Sequence, residues 1–189
     1  MAANQNLNEQ SDQELVHLTL ENQDNFLYIV NRYEKKLLSF ILRISNVNYQ
    51  DAQDLLQEIF IKVYQNLNDY DPELKFSSWI YRITRNHVIS HYRKNKNKPQ
   101  VLPFELEQDL FETLAADFDL GQTVETKLTR ERIFAALDKL KPKYREVIVL
   151  RYFEEKSYDE ISDIIKKPTG TVGTMINRAK KQFKEKFIY

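Results

Sequence analysis

Apolar residues recur at intervals of three and four along most of the chain, which predicts an all-α protein. The first such series predicts an amphipathic helix from about Asn25 to Ile44. A second helix is predicted from about Asp51 to Leu67, with acidic residues near its start, where the helix dipole favours negative charge. Asp71 then precedes Pro72, and the residue before a proline is pushed out of the helical region. A third helix is therefore predicted to begin near Ser77 or Ser78.

The periodic pattern stops between Lys94 and Gly121 and resumes near Glu125. The intervening stretch has the composition of a linker. We therefore predict a helical domain at residues 1–98, an acidic flexible linker at 99–124 and a second helical domain at 125–189. In the second domain, one helix is predicted to run to Leu140 and another to cover Lys143 to Phe153.

The C-terminal segment has the pattern of a helix-turn-helix. Ser157 and Glu160 have capping-box spacing, which predicts a helix start, and this capped turn is identified only once in the chain. A tight connection at residues 166–169 follows, and apolar residues at intervals of four and three then predict a further helix with a basic free face. An ordinary helical hairpin is the alternative.

Composition excludes several classes of protein. The chain has three glycines and no cysteine, so it can contain neither a glycine-rich phosphate loop nor a disulfide, a thiolate zinc site or a cysteine nucleophile. The polar N-terminus does not resemble a signal peptide, and no apolar run approaches the ~18 to 20 residues of a membrane span. We expect a cytoplasmic protein that does not insert into a membrane.

The charges are segregated along the chain, although 28 basic and 28 acidic residues balance. Residues 82–98 carry six basic residues and no acid, whereas residues 104–119 carry six acids and no base. Residues 166–189 carry seven basic residues and a single acid. Each block alone is also compatible with a solvated face. Two basic blocks separated by an acidic one favour an anionic partner.

The third helix combines aromatic and basic residues in an unusual way. At about 100° per residue, Phe76, Ile80, Ile83 and Val88 share the half predicted to pack inward. The opposite half is predicted to expose Trp79, Arg82, Arg85, Asn86 and Arg93. An exposed indole can stack an unpaired base, an amide can read a base edge, and arginines can neutralise phosphates, which suits single-stranded nucleic acid. The alternative is that Trp79 is simply a core residue at a helix start.

Two further patterns are weaker. His87 and His91 are four residues apart and would suit a metal, but no third ligand is evident, so interior packing or phosphate contact is the favoured interpretation. On the second helix, Asp54, Glu58 and Ile61, together with Lys62, lie away from the core stripe. Such a strip suits a basic partner helix, although surface solvation explains it as well.

Three stretches resemble a known family in order and spacing: "DLLQEIFIKVYQNL", "KFSSWIYRITRNHVISHYRK" and "LKPKYREVIVLRYFEEKSYDEISDIIKKPTGTV". They are similar to regions 2 and 4 of bacterial sigma factors of the extracytoplasmic-function (ECF) group. The likeness covers most of residues 25–187 apart from the acidic linker. It implies a promoter-specificity subunit that has no catalytic activity or cofactor, is a monomer when free, and works with core RNA polymerase and promoter DNA. An anti-sigma factor is implied by analogy.

The resemblance also assigns site residues. The clamp of the polymerase would contact Asp54, Gln57, Glu58 and Ile61. The unpaired minus-ten strand would contact Tyr70, Trp79, Arg82, Arg85, Asn86 and Arg93. The minus-thirty-five duplex would contact Thr171, Thr174, Asn177, Arg178 and Lys181.

The chain departs from the family pattern in the helix-turn-helix. Lys166 stands where the family has glycine, and a positive φ there costs a non-glycine residue roughly 1 kcal/mol. Gly173 and Met175 replace the usual basic residues at the start of the recognition helix, so the usual promoter sequence is not expected to carry over. Two other functions remain open. One is a stand-alone helix-turn-helix regulator, and the other is a helical metal-dependent hydrolase using His87 and His91 with acids such as Asp54 and Glu58.

Overall fold

The computed structural model describes residues 7–45, 47–94 and 127–188 of the chain. Those ranges contain eight α-helices and no strand, which confirms the all-α prediction. The chain divides into two compact units, Met1–Gln100 and Val101–Tyr189. The linker predicted at residues 99–124 lies wholly outside the described residues. No helix in the described ranges has both the length and the apolar content needed to cross a bilayer.

Four helices form the first unit. They are α1 (Asp12–Glu21), α2 (Phe26–Ile44), α3 (Tyr49–Gln65) and α4 (Phe76–Lys94), with short 3₁₀ turns at Leu7–Glu9, Gln23–Asn25 and Leu67–Asp69. The hydrophobic pattern predicted all but α1. The start of α1 is a second capping box, in which Ser11 Oγ accepts from the Glu14 amide at 3.2 Å and Glu14 accepts from the Ser11 amide at 2.8 Å. The prediction of a single capped turn was therefore wrong.

Polar contacts hold α1 against the rest of the unit. Asp12 accepts hydrogen bonds from Arg32 at 2.8 Å and from the Tyr33 hydroxyl at 2.5 Å. Burial, reinforced by Asp12, raises the pKa of Tyr33 far above its usual range, so the hydroxyl remains a donor. In the same turn of α1, Gln13 Nε2 donates to the Pro72 carbonyl at 2.8 Å. These bonds tie α1 to α2 and to the loop between α3 and α4.

The core of the first unit lies where α2 packs on α3 and α4. Its most deeply buried aliphatic and aromatic side chains are Leu37, Phe40, Ile41, Ile59, Val63, Leu67, Phe76 and Ile80. Burial of each such side chain stabilises the folded state by ~1.5–3 kcal/mol. This packing leaves one long face of α3 exposed, and on α4 it leaves Asn86 and Ser90 exposed.

The prediction that Trp79 is exposed was wrong, and Tyr70, which the resemblance assigned to the minus-ten strand, is buried as well. Trp79 is 4% exposed and Tyr70 is 8% exposed. The Trp79 ring lies 5.5 Å from the Phe76 ring and 5.7 Å from Tyr70, and Phe76 lies 5.7 Å from Tyr33. We call these four residues the aromatic cluster. A helical wheel assumes that one side of a helix is covered, but here the loop before α4 closes over the other side as well. The Tyr70 hydroxyl fixes that loop by donating to the Leu74 carbonyl at 2.6 Å.

The second unit contains the other four helices. They are α5 (Lys127–Asp138), α6 (Pro142–Ile148), α7 (Tyr158–Ile165) and α8 (Thr169–Ile188). The single helix predicted to reach Phe153 changes to π-helical geometry over Val149–Phe153. Helix α8 packs against α5, α6 and α7. Its buried stripe is Val172, Ile176, Ala179 and Phe183, as the sequence pattern predicted.

The connection between α7 and α8 has the geometry expected of a glycine. Lys166 adopts φ 52° and ψ 56°, in the left-handed region. Its amide donates to the Ser162 carbonyl, and the Lys167 amide also donates to Ser162, at 3.2 Å. The Ser157–Glu160 capping box fixes the other end of α7. Position 166 therefore has a positive φ although its residue is a lysine, and the chain tolerates the strain.

Replacing Lys166 by glycine is expected to stabilise the protein. The change Lys166→Gly relieves the left-handed strain, so the free energy of unfolding should rise by about 1 kcal/mol. Circular dichroism during urea unfolding measures the change. Lys167→Gly is the control, since it removes the same charge from the same turn without relieving a positive φ, and it should be neutral or destabilising. Equal effects of the two changes would contradict the strain interpretation.

Removing the indole of Trp79 is expected to destabilise the first unit. Trp79→Ala leaves a cavity in the aromatic cluster and should cost about 3–5 kcal/mol, whereas Trp79→Phe retains a ring and should cost less. Urea unfolding followed by far-ultraviolet circular dichroism compares the two variants with the parent. If Trp79→Ala lost less than about 1 kcal/mol, the indole would not be a core residue.

Candidate nucleic-acid and partner interfaces

One face of α3 displays the residues predicted to contact the polymerase. Asp54, Gln57, Glu58 and Ile61 are all exposed, and Ile61 is 58% exposed. We call these four residues the α3 surface. They lie opposite the buried stripe of α3, so the helix keeps one side for its own core and presents the other to solvent. An exposed isoleucine surrounded by acids and an amide matches a partner that has an apolar contact point with basic residues around it.

A histidine of α4 joins the α3 surface. His87 Nε2 lies 2.7 Å from Glu58 Oε2, and His87 Nδ1 lies 2.8 Å from Lys62 Nζ. Burial lowers the pKa of His87, partly offset by the Glu58 hydrogen bond. Among the described residues, no group of three or more histidine, aspartate or glutamate side chains is placed to hold a metal ion. Both ring nitrogens of His87 are occupied by this bridge between α3 and α4. That occupation leaves neither nitrogen for a metal ion, which weakens the hydrolase alternative.

The polar face of α4 begins at Arg82, after the buried residues Ile80 and Tyr81. Arg82 and Arg85 are half-buried and Asn86 is exposed. Arg85 Nη1 donates to Asn86 Oδ1 at 3.2 Å, so the amide and the guanidinium form one polar group. We call Arg82, Arg85 and Asn86 the α4 surface. The side chain of Arg93, predicted to continue it, lies outside the described residues.

Tyr70 and Trp79 do not belong to the α4 surface. Both are in the aromatic cluster below it, where their rings contact one another and Phe76. Neither can stack a base without leaving the core. The stripe predicted on α4 is therefore divided in the structure. Its cations and amide are at least partly exposed, whereas the aromatic rings are buried and support the helix that carries them.

The free face of α8 displays every residue predicted to read the duplex. Thr171, Thr174, Asn177, Arg178 and Lys181 are all exposed. We call these five residues the α8 surface. Thr174 donates its hydroxyl to the Gly170 carbonyl at 3.0 Å, so its oxygen remains available only as an acceptor. Thr171, Asn177, Arg178 and Lys181 all carry donors suited to base edges in the major groove.

Sequence reasoning missed three features of these interfaces. Helix α1 contacts the loop that precedes α4 through Gln13. The capping-box spacing of Ser11 and Glu14 could have revealed this helix. The bridge from His87 to α3 had no sequence signal, since it joins residues that are far apart along the chain. An exposed apolar residue, Tyr64, also extends the α3 surface by one turn, and its ring packs 5.1 Å from that of Phe26.

Comparisons with known proteins point to one family. The family model for Sigma-70 region 2 matches residues 29–98, and the model for Sigma-70 region 4 matches residues 130–183. The ECF RNA polymerase sigma factor SigW of Bacillus subtilis is 33% identical over 176 residues, covering 86% of this chain and 89% of that protein. The RNA polymerase sigma-H factor of Pseudomonas aeruginosa is 31% identical over 180 residues, covering 92% of both chains.

A solved structure shares the fold as well. CnrH, determined in complex with the cytosolic domain of CnrY, superposes with a TM-score of 0.67 at 25% identity, covering 92% of this chain and 95% of that one. Both region models lie on the units that carry the α3, α4 and α8 surfaces. The chain therefore belongs to the ECF sigma factors of bacterial RNA polymerase.

Proposed function

We propose that the chain binds core RNA polymerase through the α3 surface, the unpaired minus-ten strand through the α4 surface and the minus-thirty-five duplex through the α8 surface. Family membership makes it an alternative sigma factor that directs transcription initiation and has no catalytic activity of its own. The observation that carries the assignment of surfaces is that the described members of each predicted set, apart from the two buried aromatic residues, are exposed or partly exposed on a single helix.

The α4 surface supports strand capture in a modified form. Two guanidiniums can neutralise successive phosphates, and Asn86 can pair with a base edge. The aromatic cluster supplies a rigid base under these groups. On this proposal a displaced base lies against Asn86 and Arg85, and the indole acts by supporting α4 from within the unit.

The partners and the location follow from the family. CnrH was solved with a protein partner, the cytosolic domain of CnrY. We propose that this chain also meets an inhibitory anti-sigma factor, that it is a monomer when free of polymerase, and that it acts in the cytoplasm, where core polymerase and promoter DNA are found. The domain limits 1–98 and 125–189 remain proposals for the parts that carry these functions.

The competing function is a stand-alone helix-turn-helix regulator. It accounts for the α8 surface but gives no role to the α3 surface, where Ile61 remains exposed among acids. The two functions differ in one measurable respect, since a sigma factor initiates transcription only with core polymerase. Promoter-dependent run-off transcription from a genomic template library, using core polymerase and the purified chain, tests the proposal. A stable, folded chain that yields no promoter-dependent transcript from any template would overturn it.

Charge reversal on the α3 surface should weaken polymerase binding. Asp54→Lys places a cation where a basic partner surface is expected, and like charges at a contact cost several kcal/mol, so affinity should fall by roughly 10-fold or more. Fluorescence anisotropy of the labelled chain with core polymerase measures it. Glu34→Lys makes the same reversal at an exposed position of α2 and should change affinity less than about twofold. Equal losses from both variants would refute a local α3 contact.

Arg178 should set sequence preference in the upstream element. Arg178→Ala removes a bidentate donor, so discrimination at one base pair should fall by about 1–3 kcal/mol. Selection of upstream sequences by the complete holoenzyme, before and after the change, shows which position becomes relaxed. Lys186→Ala removes an exposed cation from the last turn of α8 and should leave the preference unaltered. An unchanged preference in Arg178→Ala would exclude base reading by this residue.

A further inference from the structure

The ring of His87 lies between two opposite charges of the same helix. Glu58 and Lys62 are one turn apart on α3, and each is hydrogen bonded to a different ring nitrogen of His87, at 2.7 Å and 2.8 Å. The His87 side chain is only 10% exposed, whereas that of Glu58 is 61% exposed. A nearly buried imidazole on α4 therefore holds the exposed carboxylate of the α3 surface.

The two contacts define one state of the ring. The ammonium of Lys62 can only donate, so His87 Nδ1 must accept and carries no proton. The carboxylate of Glu58 accepts, so Nε2 carries the hydrogen. The imidazole is then neutral, in the tautomer protonated at Nε2. Burial, the first cause of its lowered pKa, favours the same neutral form.

Glutamate and lysine at this spacing, with the glutamate first, ordinarily pair directly along a helix. Direct pairing would draw the Glu58 carboxylate along α3 toward Lys62 and neutralise it. We propose that His87 is a positioning residue that keeps Glu58 and Lys62 apart, so that the carboxylate stays oriented for the polymerase. The inference rests on the proposed role of the α3 surface, and it links that surface mechanically to α4, the helix proposed to hold the DNA strand.

Acid should disrupt the arrangement. The titratable and charged groups that face the ring are Glu58 and Lys62 from α3 and His91 from its own helix. A proton on Nδ1 removes the acceptor for Lys62 and sets two cations against each other. Because the pKa of folded His87 lies below its ordinary value, the unfolded chain binds this proton more readily. The bridge is thus complete above about pH 6.5 and is lost as the pH falls through the folded pKa.

Three variants test the role of His87. His87→Gln keeps one donor and one acceptor but does not titrate, so polymerase affinity should stay within about twofold of the parent at pH 7.5. His87→Leu removes both bonds and should weaken affinity by about 3- to 10-fold. His17→Gln changes an exposed histidine of α1 and serves as the control. Anisotropy with core polymerase measures affinity, and circular dichroism confirms that each variant is folded.

A double-variant cycle isolates the cause. If His87→Leu acts by letting Glu58 pair with Lys62, the same change made in a Lys62→Gln background should have less than about twofold effect. Equal losses in both backgrounds would overturn the proposal that His87 keeps Glu58 and Lys62 apart. Wild-type affinity in His87→Leu would overturn the positioning role itself and leave the proposed polymerase contact standing. Failure of the parent chain to bind core polymerase would instead reject the proposed function.

Two further measurements distinguish a positioning role of His87 from a purely structural one. Between pH 7.5 and 5.5 the parent should lose about 3- to 10-fold more affinity than His87→Gln. The titrating groups of the polymerase are common to both measurements, so the difference reports the protonation of His87. Nitrogen-15 shifts of the His87 ring should show the neutral tautomer with hydrogen on Nε2 at pH 7.5. A ring protonated on Nδ1 at that pH, or parallel pH profiles for the two proteins, would contradict the proposal.

Discussion

The first unit depends on the enclosure of the first turn of α4 by the aromatic cluster. Phe76 and Trp79 are on the helix, Tyr70 comes from the loop before it, and Tyr33 comes from α2. Contacts among these four rings, two of them edge-to-face, join the start of α4 to the preceding loop and to the distant helix α2. Because the loop is also held by Gln13 of α1, the start of α4 has a fixed position and direction. Everything that α4 presents further along depends on that anchor.

Anchoring at one end explains why the other half of α4 can be polar. Burial of Phe76, Trp79, Ile80 and Tyr81 stabilises the helix enough that the following turns can expose Asn86 and two partly covered arginines. Such groups, held on a fixed helix, lose little entropy when they bind an unpaired strand. The same half of α4 carries His87, which reaches back to Glu58. The α3 and α4 surfaces thus share one rigid support.

Sequence periodicity predicted seven of the eight helices and the exposed faces of α3 and α8, because those helices have a single buried stripe. It failed where two layers of chain cover one helix, as at Trp79, since the closing loop carries no periodic signal. Helix α1 was missed because its apolar pattern is weak, although the spacing of Ser11 and Glu14 is that of a capping box. The bridge of Glu58, His87 and Lys62 needs the packing of α3 on α4, which no local pattern specifies.

The turn at Lys166 shows which forces set the angle of the recognition helix. A lysine in the left-handed region is unfavourable locally, yet the turn keeps its shape. The stripes of Ile161, Ile164 and Ile165 on α7 and of Val172, Ile176 and Ala179 on α8 are fully or almost fully buried. Their burial amounts to several times the roughly 1 kcal/mol of backbone strain, so packing imposes the turn. The orientation of Arg178 and Asn177 therefore follows from the core of the second unit, and base contacts on α8 can change without altering how the helix is held.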